Sequence, residues 1–386
     1  MPDRALFLAA SILIAISVVM VYSLSAYTVI LFDYAPFHFA WRQMFYGLTA
    51  IVTMWALAQF DPDVWLGRLG FALFFVGLAL MVAMPFMPAS LVSAVGGAKR
   101  WIHLGPVSLA PVEFFKIGFV YFLAWSFSRK FDGSQPLTLK AEFVRFIPYA
   151  VLFVVVMLLI AVLQKDLGQV MVLAMTMAFM LVLAGSSFRF FVILMSAAIG
   201  AFVVFIFTAP HRIARILSWW ATAQDSVLGL LPESIASHLR VERHDEPYQI
   251  GHALNAINHG GLAGTGLGNG TFKLGFLSEV HTDFVLAGLA EEFGLIGIVV
   301  VVGVFLYLLK RIFKIANRVR EERYTLFSVG IGLLLAFAFL LNAFGISGIT
   351  PIKGIPVPFL SYGGSAILAA AIGVGMVLMV SRKANY

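Results

Sequence analysis

One carboxylate in this 386-residue chain sits where a long polar segment runs into an apolar helix. It is Asp283, at the end of Lys273-Leu-Gly-Phe-Leu-Ser-Glu-Val-His-Thr-Asp283-Phe284. An acid at such a boundary can serve as a general base, because partial burial raises its pKa toward neutrality. The plain alternative is a helix N-cap, or a favourable charge at the positive helix end. Glu291 and Glu292 follow two turns further in. Carboxylates at that depth are costly and face the bundle interior, so pairing with a basic residue is the expected role.

Around this acid stand cations that could meet a phosphate-bearing substrate: Lys99, Arg100, Arg212, Arg215, Lys273 and Lys353. Glu113 and Lys116 lie three apart behind Pro111, on one helix face, and could pair. Six of the eight histidines (His211, His238, His244, His252, His259 and His281) fall in the segment 210–283, but their spacing fits no zinc pattern and the chain has no cysteine. No metal-ligand set is visible. The run Gly260–Gly270 carries six glycines in eleven residues. It could cradle an anion with its N–H groups or simply be a flexible loop. No Gly-Lys-Ser/Thr follows and no strand precedes it, so it is neither a nucleotide P-loop nor a dinucleotide fingerprint.

The elements that must position these groups are apolar helices. The chain is 61% hydrophobic and 12% charged, where soluble domains are about 45–50% and 25%. Ten runs are long enough to cross a bilayer: Ala5–Val29, Gln43–Gln59, Leu69–Met87, Val112–Phe127, Phe146–Leu163, Gln169–Ala184, Phe190–Thr208, Phe284–Leu309, Leu326–Phe344 and Ser365–Val380. The fifth and sixth, around Gln164–Gly168, could be one broken helix. The expected fold is therefore an all-α polytopic membrane protein of about ten transmembrane helices, one domain over residues 1–386. Lys and Arg gather at 129–145, 310–323 and 382–383. The positive-inside rule then places both termini in the cytoplasm and the large loop 210–283, between helices seven and eight, outside. The net charge of +7 reflects those loops and not nucleic-acid binding. Within the loop, Ile250, Ala253, Leu254 and Ile257 form an amphipathic stripe that Gly260-Gly261 ends. Prolines 351, 356 and 358 predict extended or re-entrant backbone between Asn342 and Ser365.

With these residues in view the chain resembles the SEDS family, the FtsW/RodA proteins, over essentially its whole length. The matching stretches are Val19–Ser23, Lys99–Ile102, Pro111–Lys116, Gln164–Gly168, Gly264–Gly268, His281–Phe284, Ala290–Gly294 and Ser361–Ser365. Each is weak alone, and their order and spacing make the match specific. Val19–Ser23 and Lys353-Gly354 look like the FtsW branch, Ile355–Pro358 like the RodA branch, and the weight lies with FtsW. Lys165 stands where the family commonly has proline, as does Ser278 before Glu279.

The resemblance implies a peptidoglycan glycosyltransferase acting on lipid II in the bacterial cytoplasmic membrane, with its site on the extracytoplasmic face. Asp283 matches the family's essential acid and would deprotonate the acceptor sugar's 4-hydroxyl. The cations, with His281 and Ser361, become candidate substrate contacts, and Glu113 with Lys116 a structural pair. The resemblance leaves room for a divalent cation, magnesium or manganese, at the pyrophosphate. It implies a class B penicillin-binding protein, a transpeptidase, as partner, among other divisome or elongasome membrane proteins. Two other readings remain at this point: a flippase for the same lipid, motivated by Glu291, Glu292 and the Gln164–Gly168 break, and a non-catalytic scaffold.

Overall fold

The computed structural model describes residues 2–92, 98–105, 107–131, 138–207, 213–214, 216–217, 219–221, 224, 228, 233–240, 248–352 and 354–384. Arg212, Arg215 and Lys353 lie outside the described residues.

The helices in chain order are α1 (Arg4–Leu24), α2 (Ala26–Leu31), α3 (His38–Ala58), α4 (Pro62–Ala83), α5 (Pro111–Lys130), α6 (Leu139–Leu158), α7 (Leu167–Leu183), α8 (Phe188–Phe207), α9 (Glu233–Leu239), α10 (Tyr248–Gly260), α11 (Val285–Ala316), α12 (Glu322–Ile346) and α13 (Gly364–Val380). Each of the ten apolar runs overlaps a helix. Among the described residues six helices are long and apolar enough to cross a membrane: Arg4–Leu24, Pro62–Phe86, Leu139–Leu163, Val285–Ala316, Glu322–Ile346 and Gly364–Lys383. The first run is shorter than expected, because the chain breaks at Ser25 and restarts as the short α2.

Local signals set the helix starts. Asp3 accepts from the Leu6 N–H at 2.9 Å and Asp61 from the Asp63 N–H at 3.1 Å. Pro62 and Pro111 occupy first-turn positions, where no N–H is needed. α6 and α7 are two helices. α6 ends in a π-turn over Leu159–Leu163, Lys165 turns the chain at φ +50°, and Asp166 caps α7 through the Gln169 N–H at 3.2 Å.

One end of the bundle collects the charges. There Arg311 pairs with Asp3, Lys383 and the Tyr324 hydroxyl meet Asp63, and Arg382 donates to the Gln59 carbonyl. α5 also finishes at this end, with Arg129 and Lys130. The opposite end carries the β-hairpin Ile102–Leu104 with Val107–Leu109, registered Ile102 to Leu109, and the irregular segments 260–284 and 347–363.

α11 is broken one turn past its paired glutamates. Gly294 sits at φ +62°, ψ −162°. A break at membrane depth must satisfy its freed backbone groups within the protein. The glycine run does so. Thr265 and Gly266 donate to the Glu291 and Glu292 carbonyls at 3.0 and 2.9 Å, and Leu295 and Ile296 donate to the Gly261 and Leu262 carbonyls at 2.9 and 3.2 Å. A side chain at Gly294 would stand 2.5 Å from the Leu262 carbonyl oxygen. The run is thus neither an anion cradle nor a loose loop. It plugs the gap in α11. Ahead of it α10 packs on α11 with Ile250, Ala253 and Ala256 buried.

Candidate functional site

The irregular end encloses a cavity of about 540 Å³. Asp283, Glu279 and Thr282 line it from the segment before α11, Asp166 and Gln169 from the start of α7, and Arg100 and Trp101 from the hairpin. Arg42 and Tyr46 of α3 and Tyr362 to Ala366 close the other side.

Asp283 is held by its backbone. Its carbonyl accepts from Asn342 Nδ2 at 2.7 Å, and the same nitrogen donates to the Ile355 carbonyl at 2.7 Å. The preceding carbonyls are fixed too: Thr282 accepts from Ser361 Oγ at 2.6 Å and His281 from the Tyr362 N–H at 2.8 Å. Three consecutive peptide groups are therefore anchored to α12 and the 355–363 segment. The carboxylate itself has no hydrogen-bond or ionic partner among the described residues. It does not cap α11, whose N-cap is Phe284 with no side-chain bond. Burial first, then the charges of Glu279 and Asp166, push Asp283 up to about 6, against the opposing pull of Arg100. A carboxylate with that pKa is mostly ionised at neutral pH and still basic enough to take a proton.

Arg100 is aimed by the α6–α7 turn, with Nε donating to the Gln164 carbonyl and Nη2 to the Lys165 carbonyl, both at 2.9 Å. The turn is thus a clamp for a cavity-lining guanidinium. Behind it Glu113 and Lys116 pair at 2.8 Å, and Gln169 bridges them. Its Oε1 accepts from Lys116 Nζ at 2.7 Å, and its Nε2 donates to Glu113 Oε1 at 2.8 Å.

The other expected contacts sit elsewhere. Lys273 is buried and does not line the cavity: its ammonium meets Glu292 Oε1 at 2.6 Å and Ser23 Oγ at 3.0 Å. It is the basic partner expected for that glutamate. Glu291 Oε1 accepts from the Thr271 and Phe272 N–H groups at 2.6 and 3.1 Å and lies 3.1 Å from His259 Nδ1. Lys99 donates to the Pro85 carbonyl at 3.3 Å, away from the cavity lining. Ser361 is buried in the loop, accepting from the Val357 N–H at 2.8 Å. His281 is buried between the rings of Phe39 and Tyr362, and burial lowers its pKa. Both shape the wall without lining the cavity. Arg42, Asp166, Gln169, Glu279 and Tyr362 do line it and were not among the expected contacts. Arg42 borders the apolar run that begins at Gln43, a signal that could have found it. Among the described residues no group of three His, Asp or Glu side chains is placed to hold a metal ion.

The comparisons agree on kinship. The profile of the FtsW/RodA/SpoVE family of cell cycle proteins matches residues 3–386. The chain is 50% identical over 381 residues to the probable peptidoglycan glycosyltransferase FtsW of Helicobacter pylori, covering 98% of each. It is 33% identical to the protein of the same name from Haemophilus influenzae, over 99% of this chain and 90% of that one. Among solved structures, the backbone is similar to a chain from a peptidoglycan synthase complex, with TM-score 0.73 at 23% identity over 99% and 98% of the two. It is also similar to the rod shape determining protein RodA of Thermus thermophilus, with TM-score 0.64 at 22% identity over 100% and 98%. At those identities the structural likeness speaks for the fold.

Proposed function

The chain belongs to the FtsW/RodA/SpoVE family of cell cycle proteins, and on that premise we propose how its cavity polymerises peptidoglycan glycan strands, with Asp283 as the base. The enzyme is a peptidoglycan glycosyltransferase, like its curated relatives. The observation that carries the mechanism is a backbone-anchored carboxylate, raised to about 6, facing a cavity that two guanidinium groups also line.

Two lipid-linked disaccharides meet there. Asp283 takes the proton from the acceptor sugar's 4-hydroxyl. That oxygen attacks the donor's anomeric carbon, a new glycosidic bond forms, and the bond to the pyrophosphate breaks. Polyprenyl pyrophosphate leaves with the electron pair and its extra negative charge. Arg100 and Arg42 line the wall and can stabilise that charge. Arg212, Arg215 and Lys353 remain candidates for the same duty. One base suffices because pyrophosphate is a good leaving group, unlike in glycoside hydrolysis, where two carboxylates share the work. A magnesium or manganese ion would have to arrive with the pyrophosphate, whose charge it would offset, because the described residues place no group of three carboxylates or histidines to hold one.

All ten apolar helices cross the bilayer in this reading, with both termini and the charged end cytoplasmic and the cavity extracytoplasmic in the bacterial inner membrane. The gathering of Arg129, Lys130, Arg311, Arg382 and Lys383 at the end opposite the cavity supports that orientation. The role is septal wall synthesis, beside a class B transpeptidase, in keeping with the FtsW relatives. The flippase reading loses one of its two motives, since Glu291 and Glu292 are committed to fixed internal bonds, and the other, the Gln164–Gly168 break, has a local use in holding Arg100.

The decisive experiment is polymerisation of lipid II by the purified protein, with its transpeptidase partner where required. Wild type is expected to extend glycan strands and Asp283→Ala to make none. Undiminished polymer from Asp283→Ala overturns the assignment of the base.

A further inference from the structure

A second cavity, of about 430 Å³, opens between α5 and α6 at the charged end of the bundle. α5 runs from the catalytic cavity at Pro111 to this cleft at Lys130, a path of about 30 Å for twenty helical residues. The mechanism uses nothing in it. Phe122, Trp125, Ser126, Arg129, Lys130, Pro148 and Tyr149 form its lining.

Three features give the cleft a chemistry. The first is charge. Arg129 and Lys130 are exposed at its rim, and neither has an acidic partner among the described residues. They also fold back over the cleft instead of simply extending outward: the Arg129 guanidinium lies 4.5 Å from the Trp125 ring centre and Lys130 Nζ 5.3 Å from that of Tyr149. The second is polarity at the floor. Ser126 Oγ and the Tyr149 hydroxyl are buried and bonded to each other at 2.5 Å. The third is the wall. Phe122 and Trp125 are apolar, and the neighbouring face of α6 exposes Phe143, Val144, Ile147 and Val151. That face belongs in the acyl layer of a bilayer. Two cations with no acidic partner among the described residues, over a polar floor and opening sideways onto hydrocarbon, fit a charged headgroup with an attached chain.

We propose that the α5–α6 cleft binds an anionic phospholipid, its phosphate held by Arg129 and Lys130 and one acyl chain running along α6. The binding chemistry needs only that the chain span a bilayer. Its assignment to the cytoplasmic leaflet rests on the orientation proposed above.

Native mass spectrometry of the purified protein tests this with three probes: phosphatidylglycerol, phosphatidylethanolamine and inorganic phosphate. Wild type is expected to retain phosphatidylglycerol in preference to phosphatidylethanolamine. Arg129→Gln with Lys130→Gln should weaken that retention about tenfold, and Arg129→Lys with Lys130→Arg should keep it. Equal retention by the Gln pair overturns the site. Displacement of the lipid by millimolar inorganic phosphate would make the ligand a soluble anion and overturn the lipid assignment. A measurement on wild type alone guards against variants that fail to fold. Phosphatidylglycerol should slow hydrogen–deuterium exchange at residues 122–130 and 139–149, and unchanged exchange there counts against the proposal. Loss of polymerisation in Asp283→Ala should leave lipid retention intact, so the two readings fail separately.

Discussion

Gly354 leaves the Asp283 carboxylate the space it occupies: a methyl group on Gly354 would stand 2.8 Å from Asp283 Oδ2. Nothing in the described residues bonds to that carboxylate, so its direction is set by the anchored backbone on one side and by this gap on the other. Gly354→Ala should push the carboxylate aside without touching its chemistry. A displacement approaching 1 Å costs about 100-fold in rate. We expect kcat for lipid II polymerisation to fall about 10- to 100-fold while the thermal midpoint moves little. A fully active Gly354→Ala enzyme would show that the carboxylate has other room.

The raised pKa of Asp283 predicts an acid limb. Below about 6 the carboxyl is protonated and cannot accept the acceptor's proton, so kcat/KM should decline with an apparent pKa near 6. Asp283→Glu, if active at all, should move that limb. A flat profile from pH 5 to 8 would remove Asp283 from the proton transfer.

The same shift has a sign for stability. The folded pKa exceeds the ordinary value of 3.8, so the folded state binds more protons than the unfolded state between roughly 4 and 6. Stability therefore falls as pH rises through that window, by at most about 3 kcal/mol for a shift of about two units. Asp283→Asn removes the buried charge. It should be inactive and yet melt at or above the wild-type temperature at pH 7.5, measured in one detergent. A variant that melts well below wild type would point to a structural duty for the carboxylate.

Hydropathy alone made the apolar helices legible, whereas Asp283 is one of several acids at the edge of an apolar run, with Asp3, Glu113 and Asp166, and the resemblance at His281–Phe284 is what singled it out. The break in α11 was not. Residues 284–290 and 295–309 are apolar on either side of it, and only the docking of Gly260–Gly270 shows why Gly294 is needed. Cations were visible as residue types, but their partners were not. Lys273 lies nineteen residues from Glu292 and reaches it only because the glycine run folds back onto α11. Asp166 was visible in a family stretch and Gln169 lies just beyond it, yet their convergence on Arg100, Glu113 and Lys116 depends on how α5 and α7 pack.

Lys273 and Glu292 supply a test of that correction. Lys273→Met leaves a buried carboxylate without its ammonium, which costs about 3–5 kcal/mol. The double variant Lys273→Met, Glu292→Gln removes both charges and should recover much of the loss. KM for lipid II in the double variant should stay near wild type. A KM raised tenfold or more with normal melting would return Lys273 to the substrate site.

Arg100 is the cavity cation whose aim the structure explains, because the Gln164 and Lys165 carbonyls hold its guanidinium at two points. Lysine cannot reproduce that fork, since its ammonium is a single point on a flexible stem. Arg100→Lys keeps the charge and loses the aim; Arg100→Gln loses both. If the guanidinium stabilises the departing pyrophosphate, its interaction strengthens as charge develops, so the loss falls on kcat more than on KM. Removing one such group costs about 100- to 1000-fold in kcat, and we expect Arg100→Gln in that range with Arg100→Lys between it and wild type. Arg100 also lowers the pKa of Asp283. In Arg100→Gln the acid limb should therefore move to higher pH. A kcat loss with an unmoved limb would mean that Arg100 acts on the leaving group alone. An unmoved limb with unchanged kcat would remove it from the site.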